Sequence, residues 1–183
     1  MRLILVSALV AFMLVPTVSH AEEEAPPAPA PTKVSPKNIV FADLGLHVIG
    51  LGYQRKISPH VAVSISGGLY VPWTATDKLG DLRGGMVRLR PYFFFTDEAP
   101  RGVWLSPFVQ GAVASGDRNG VSKSGPGFAM GAAVGYAFLF KDVVHLSLGL
   151  GGQLHLVQIE GGSAPPSFYT AGIHFDATVG FAF

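Results

Sequence analysis

The stretch Phe168-Tyr169-Thr170-Ala171-Gly172-Ile173-His174-Phe175-Asp176-Ala177-Thr178-Val179-Gly180-Phe181-Ala182-Phe183 decides the fold. Its odd positions carry Tyr169, Ala171, Ile173, Phe175, Ala177, Val179, Phe181 and Phe183. Its even positions carry Thr170, Gly172, His174, Asp176, Thr178, Gly180 and Ala182. Side chains along a β-strand point to opposite faces in turn, so this is one long strand with a greasy face and a small or polar face.

The same period of two runs backward through the chain. In Val143 to Gln158, Val144, Leu146, Leu148, Leu150, Leu154 and Leu156 oppose His145, Ser147, Gly149, Gly151, Gln153 and His155. In Gly127 to Phe140, Phe128, Met130, Val134, Tyr136, Phe138 and Phe140 oppose a face of glycine and alanine as far as Ala137. This apolar, alanine-rich segment is the best helix candidate after the leader. Its separation of large from small by parity nevertheless predicts a strand. Val61 to Val71 and Val87 to Phe95 alternate likewise, the latter with Arg88, Arg90, Tyr92 and Phe94 on one face. In Val103 to Ala114 the pattern is blurred by Trp104 and Phe108.

Several of these strands reach the ~9–11 residues that cross a bilayer when tilted, whereas strands of soluble proteins run nearer ~5–6. They carry few charges on either face. Short connections at Ile57 to His60, Thr96 to Gly102 and Lys141-Asp142 alternate with longer ones at Pro72 to Arg83, Gly116 to Gly125 and Ile159 to Ser167. That asymmetry is a property of outer-membrane barrels. Working back from a periplasmic Phe183 gives seven strands, the first at about Val48 to Ile57. An even count requires one more, and Asn38 to Leu44 is the stretch available, with a tight connection at Gly45 to His47. The predicted fold class is therefore all-β, a transmembrane antiparallel up-and-down barrel of eight strands. Eight strands close around an interior filled by side chains.

Upstream, Met1 to Ala21 reads as a signal peptide cleaved after Ala21: Arg2, the apolar run Leu3 to Val15, Pro16, and a small-residue end at Ser19-His20-Ala21. The run is too short for comfortable helical spanning, which takes ~20 residues. Residues 22–36, with Ala25-Pro26-Pro27-Ala28-Pro29-Ala30-Pro31, form a proline-rich periplasmic tail or linker. The barrel domain is assigned to residues 37–183.

Composition narrows function by exclusion. Among 183 residues 14% are charged, the net charge is +1 and there is no cysteine. Charge therefore nominates no nucleic-acid partner, and a disulfide framework, thiolate metal site or cysteine nucleophile is ruled out. No cofactor is expected.

The chain resembles the small eight-stranded outer-membrane β-barrel proteins. The likeness rests on the signal peptide, the alternating strands, Leu51-Gly52-Tyr53-Gln54-Arg55-Lys56 ahead of the Ser58-Pro59-His60 turn, and above all the last strand, Ile173 to Phe183. The resemblance implies that Phe175, Val179, Phe181 and Phe183 serve as an assembly signal read by the barrel-insertion machinery. It implies outer-membrane lipid as surroundings and leaves the ligand of the loops unknown.

By parity, Arg88, Arg90, His145, Gln153, His155, His174 and Asp176 face the interior, with Asp43 a further candidate. Buried charges must be paired, so Arg88 and Arg90 are expected to pair with Asp176, and Asp43, in a polar network that includes His174. Two other functions are weighed. A lipid A- or phospholipid-modifying enzyme would need a reacting serine beside its base, and the candidates are His145-Leu146-Ser147 and His174-Phe175-Asp176. The first points inward; the second has aspartate where serine belongs. A soluble lipocalin-like carrier would need greasy inner walls, against the parity. A metal site of His145, His155 and His174 is not expected, since His145 and His155 lie near opposite ends of one strand. Trp73, Trp104, Tyr53, Tyr169 and Phe183 are expected in the aromatic girdles. The loop charges Asp77, Lys78, Asp81, Arg83, Asp117, Arg118, Lys123 and Glu160 are mixed in sign. The expected role is non-enzymatic: structural, adhesive or stress-related.

Overall fold

The computed structural model describes residues 35–70, 83–118, 121–158 and 167–183. Eight antiparallel strands follow one another around a closed barrel: β1 (Asn38–Gly45), β2 (Val48–Ser58), β3 (Val61–Tyr70), β4 (Arg83–Phe94), β5 (Gly102–Arg118), β6 (Val121–Phe140), β7 (Val144–Gln158) and β8 (Ser167–Ala182). Each strand pairs with its sequence neighbours, and β1 closes on β8 with Ile39 opposite Ala182 and Asp43 opposite Thr178. The closing ladder runs from Ile39 opposite Ala182 to Asp43 opposite Thr178, so it covers the lower part of β8. The signal peptide, most of the tail, Trp73, Asp77, Lys78, Asp81 and Glu160 lie outside the described residues, as do the side chains of Asp117, Arg118, Lys123 and Tyr169.

Alternation decides what each face meets. Ile49 and Leu51 on β2, Ile65 and Leu69 on β3, Val134 on β6, Leu150 on β7 and Ile173 and Phe181 on β8 all stand exposed on the outer wall. Together with Tyr136, Phe138 and Phe140, which contact one another in series, they make the wall an apolar belt. In water such a surface would far exceed what a monomer tolerates; in hydrocarbon it needs no partner.

Two expectations are corrected by the register. The stretch Gly116 to Gly125 is not a loop. β5 and β6 stay paired to Arg118 opposite Val121, as one hairpin of 17- and 20-residue strands. Glycine and serine are poor strand formers by composition, but the backbone ladder between two already paired strands carries them. The residues between are Asn119-Gly120, the pair that two-residue hairpins favour. The second correction concerns Trp104, which is not in a girdle. It is 0% exposed and points into the barrel, on the same parity as Ser106, Phe108 and Gln110.

The inner aromatics fit because glycine stands opposite them. A Cβ on Gly149 would lie 2.3 Å from the Trp104 ring, and one on Gly135 2.4 Å from it. Phe41 occupies the equivalent space over Gly52, and Phe108 that over Gly131. These inward glycines clear room for rings reaching across the lumen.

Candidate functional site

The interior is layered. At the end carrying Ser35 and Phe183, Tyr92, Phe94 and Trp104 pack with Ala62, Ala99, Ala133 and Ala137. Ile39, Phe41 and Ala182 pack beside β1, with Leu139 against them. The lumen is thus not polar and small throughout, as parity alone implied; its lower part is aromatic. The β4–β5 turn folds across this floor. Ala99 and Pro100 are fully buried, the Ala99 amide donates to the Pro59 carbonyl at 2.7 Å, and Ser35 Oγ donates to the Ala99 carbonyl at 3.0 Å. The turn is tied outside by the ion pair of Lys56 with Glu98 and by Arg101 to Asp142 at 2.8 Å.

Above the floor lie four buried charges. Arg88 on β4 pairs with Asp43 on β1, and Asp43 Oδ2 also accepts from Ser66 Oγ at 2.8 Å. Arg90 donates to Asp176 Oδ1 on β8 at 2.5 Å and through Nε to Ser106 Oγ at 3.1 Å. The Arg90 guanidinium is also boxed by rings, 4.9 Å from the centre of Tyr92 and 5.6 Å from those of Trp104 and Phe108. Two cations meet two anions, so the layer is neutral, and each pair spans the lumen between strands distant in sequence. His174 Nδ1 lies 3.1 Å from Gln153 Oε1, and its Nε2 3.9 Å from Asp176. The structure therefore brings Arg88, Arg90, Asp43, Asp176 and His174 into one layer.

The remaining candidates fall elsewhere. His145 and Ser147 are both buried in the lumen. Ser147 Oγ has no hydrogen-bond partner among the described residues, so no serine–histidine contact of the kind a hydrolase requires is formed. At the opposite end of the lumen, His155 Nδ1 lies 2.7 Å from Tyr70 Oη, and the His47 and His155 rings meet edge to face with centres 5.2 Å apart. Tyr70 and His47 were missed from sequence. Each has the parity of a lumen residue, but each sits at a strand end or turn where periodicity gives out. Phe175, Val179, Phe181 and Phe183 all stand on the outer wall. Tyr53 lies on the outer face, its Oη 2.6 Å from Asn38 Oδ1.

No protein-family model matches the chain, and no curated protein matches it. Solved structures do. The N-terminal β-barrel domain of Pseudomonas aeruginosa OprF aligns with a TM-score of 0.50 and 15% identity, over 81% of this chain and 97% of that one. Neisserial surface protein A aligns with a TM-score of 0.50 and 13% identity, over 80% and 95%. At such identities the likeness speaks for the fold and not for activity. Outward apolar belt, closed eight-strand order and filled lumen together with these alignments give the chain the fold of the small eight-stranded outer-membrane β-barrels.

Proposed function

We propose that the chain is an integral outer-membrane protein, exported with cleavage after Ala21, that conducts no solute and carries out no chemistry. It acts structurally or adhesively through the loops opposite its termini. The observation that carries this reading is the filled lumen: an aromatic floor, a buried turn beneath it and a neutral charge layer above leave the outer surface as the part able to meet a partner. Ser35 and Phe183, at the floor end, then face the periplasm. Phe175, Val179, Phe181 and Phe183, set in one row on the outer wall, suit recognition by the barrel-assembly machinery from the membrane side. A soluble carrier is disfavoured, because its greasy walls would have to face inward.

Expression of the whole precursor followed by fractionation tests the reading. The protein should reach the outer membrane and migrate faster on gels unheated than boiled. Purified barrel in planar bilayers should give no channel steps, and deleting residues 71–82 should abolish attachment to surfaces while leaving the unheated mobility intact. Recovery in the soluble periplasm, regular channel steps, or hydrolysis of lipid by the purified barrel would contradict it.

A further inference from the structure

The seam where β1 meets β8 is the shortest ladder of the wall. Above Asp43 opposite Thr178, only the Leu46 amide still donates to β8, to the Phe175 carbonyl at 3.1 Å. β8 itself continues up to Ser167, paired with β7 as far as Gln158. We propose that the wall opens sideways at this seam, and that the Arg88–Asp43 and Arg90–Asp176 pairs form a clasp that holds it shut from across the lumen.

Three observations support it. The first is where the anions stand. Asp43 is the last residue of β1 in the ladder, and Asp176 lies on β8 two residues above Thr178. Each carboxylate therefore stands at one lip of the seam's upper end, and both are buried in the lumen. Diagonal neighbours across a ladder are about 7–8 Å apart. Two like charges at that spacing, out of water, push the lips apart unless a cation meets each.

The second is where the cations come from. Arg88 and Arg90 share one face of β4, and β4 stands opposite β8 in the ring of eight. A single strand therefore grips both lips. It is a firm anchor, being paired to β3 from Val61–Phe93 to Tyr70–Gly84 and to β5 from Trp104–Phe94 to Ser115–Arg83. Ser66 of β3 and Ser106 of β5 brace the clasp through hydrogen bonds to Asp43 and Arg90.

The third is what else holds the seam. At the floor end Asn38 and Phe183 exchange both backbone hydrogen bonds, at 2.9 and 2.8 Å, and the Lys37 amide adds another to the Phe183 carbonyl at 3.2 Å. On the outer wall Val40, Leu44, Val179 and Phe181 are apolar and exposed, so they supply no polar tie. The seam is thus hinged at the floor and free to part at the clasp. Leu44 and Leu46 stand exposed at the β1–β2 turn, so the gap opens toward hydrocarbon and not along the barrel axis. Freeing backbone groups there is costly, which keeps the closed form dominant while the clasp is intact. None of this depends on what the outer loops bind.

The test is amide hydrogen exchange of the purified protein in detergent micelles, read by NMR. The Asn38–Phe183 pair fixes the parity, so the amides of Val40 and Ala42 on β1 and of Val179 and Phe181 on β8 face the seam. In the unmutated protein Ala42 and Val179 should exchange at least tenfold faster than the amides from Val134 to Phe138 of β6, which is paired on both sides. Replacing both cations, Arg88→Met with Arg90→Met, should speed Ala42 and Val179 a further tenfold or more and leave those of β6 unchanged. Adding Asp43→Asn and Asp176→Asn should reverse most of that rise, since the repelling charges go too. Should the double variant fail to fold, Arg90→Lys, which keeps the charge and loses the Ser106 bond, should give a smaller rise confined to the same amides. Seam amides as slow as those of β6 in the unmutated protein, or a rise spread equally over all strands in the variants, overturns the proposal.

Discussion

At the residue scale, the two arginine–aspartate pairs hold the barrel's walls together across its axis. Each joins β4 to strands on the far side, so a missing partner strands a charge where water is scarce. Asp176→Ala should destabilise the barrel by about 3–5 kcal/mol, the usual consequence of leaving a buried charge uncompensated. Adding Arg90→Met to that variant should restore most of the loss, because the unpaired cation goes with it. Urea unfolding in lipid vesicles measures both; equal loss in single and double variants would mean the pair contributes packing and not charge balance. These charges were legible in the sequence, because parity put Arg88, Arg90, His174 and Asp176 on inward faces. What parity did not give was the partition, with Asp43 going to Arg88 and Asp176 to Arg90. That depends on which strands face each other across the lumen. Trp104 was misplaced for a related reason. A tryptophan near a strand end suits a membrane interface, and only its shared parity with Ser106 and Gln110 betrayed the inward direction.

At the element scale, β8 and β7 were readable almost to the residue, since the large apolar side chains all fall on one parity and the opposite face is small or polar. β1 was not, because Ile39 and Phe41 point into the lumen and Val40 and Leu44 point out. Apolar residues on both faces erase the alternation. The extension of β5 and β6 was hidden by glycine and serine, whose composition mimics a loop. Turns follow their own chemistry. The β6–β7 turn places Lys141 and Asp142 at φ of 51° and 59°, with the Val143 amide donating to the Phe140 carbonyl at 3.1 Å. Both central residues are left-handed, as in a type I′ hairpin, where asparagine and glycine are preferred. Lys141→Asn should therefore raise stability by up to about 1 kcal/mol, seen as a higher urea midpoint with unchanged slope. Asp142 is best kept, since it holds Arg101 of the floor turn. A lowered midpoint would show that the lysine side chain matters more than its backbone.

At the scale of the whole molecule, architecture was written in the chain, while activity was not. Period-two alternation is imposed by the solvent on each side of the wall, so it records what each face touches. A ligand of the loops leaves no such repeat, and a pair such as His47 and His155 arises only when the barrel closes. The central claim is that the bulky face meets hydrocarbon around a crowded lumen. The absence of native cysteine allows single cysteines to be spin-labelled in turn from position 146 to position 154 of β7 in lipid vesicles. Collision rates with oxygen, which concentrates in hydrocarbon, and with a water-soluble nickel chelate then report each site's surroundings. Labels at positions 148, 150 and 154 should collide strongly with oxygen and hardly with nickel, and those at 147 and 153 with neither. High nickel collision at Leu148 and Leu150 would put the belt in water and contradict the account.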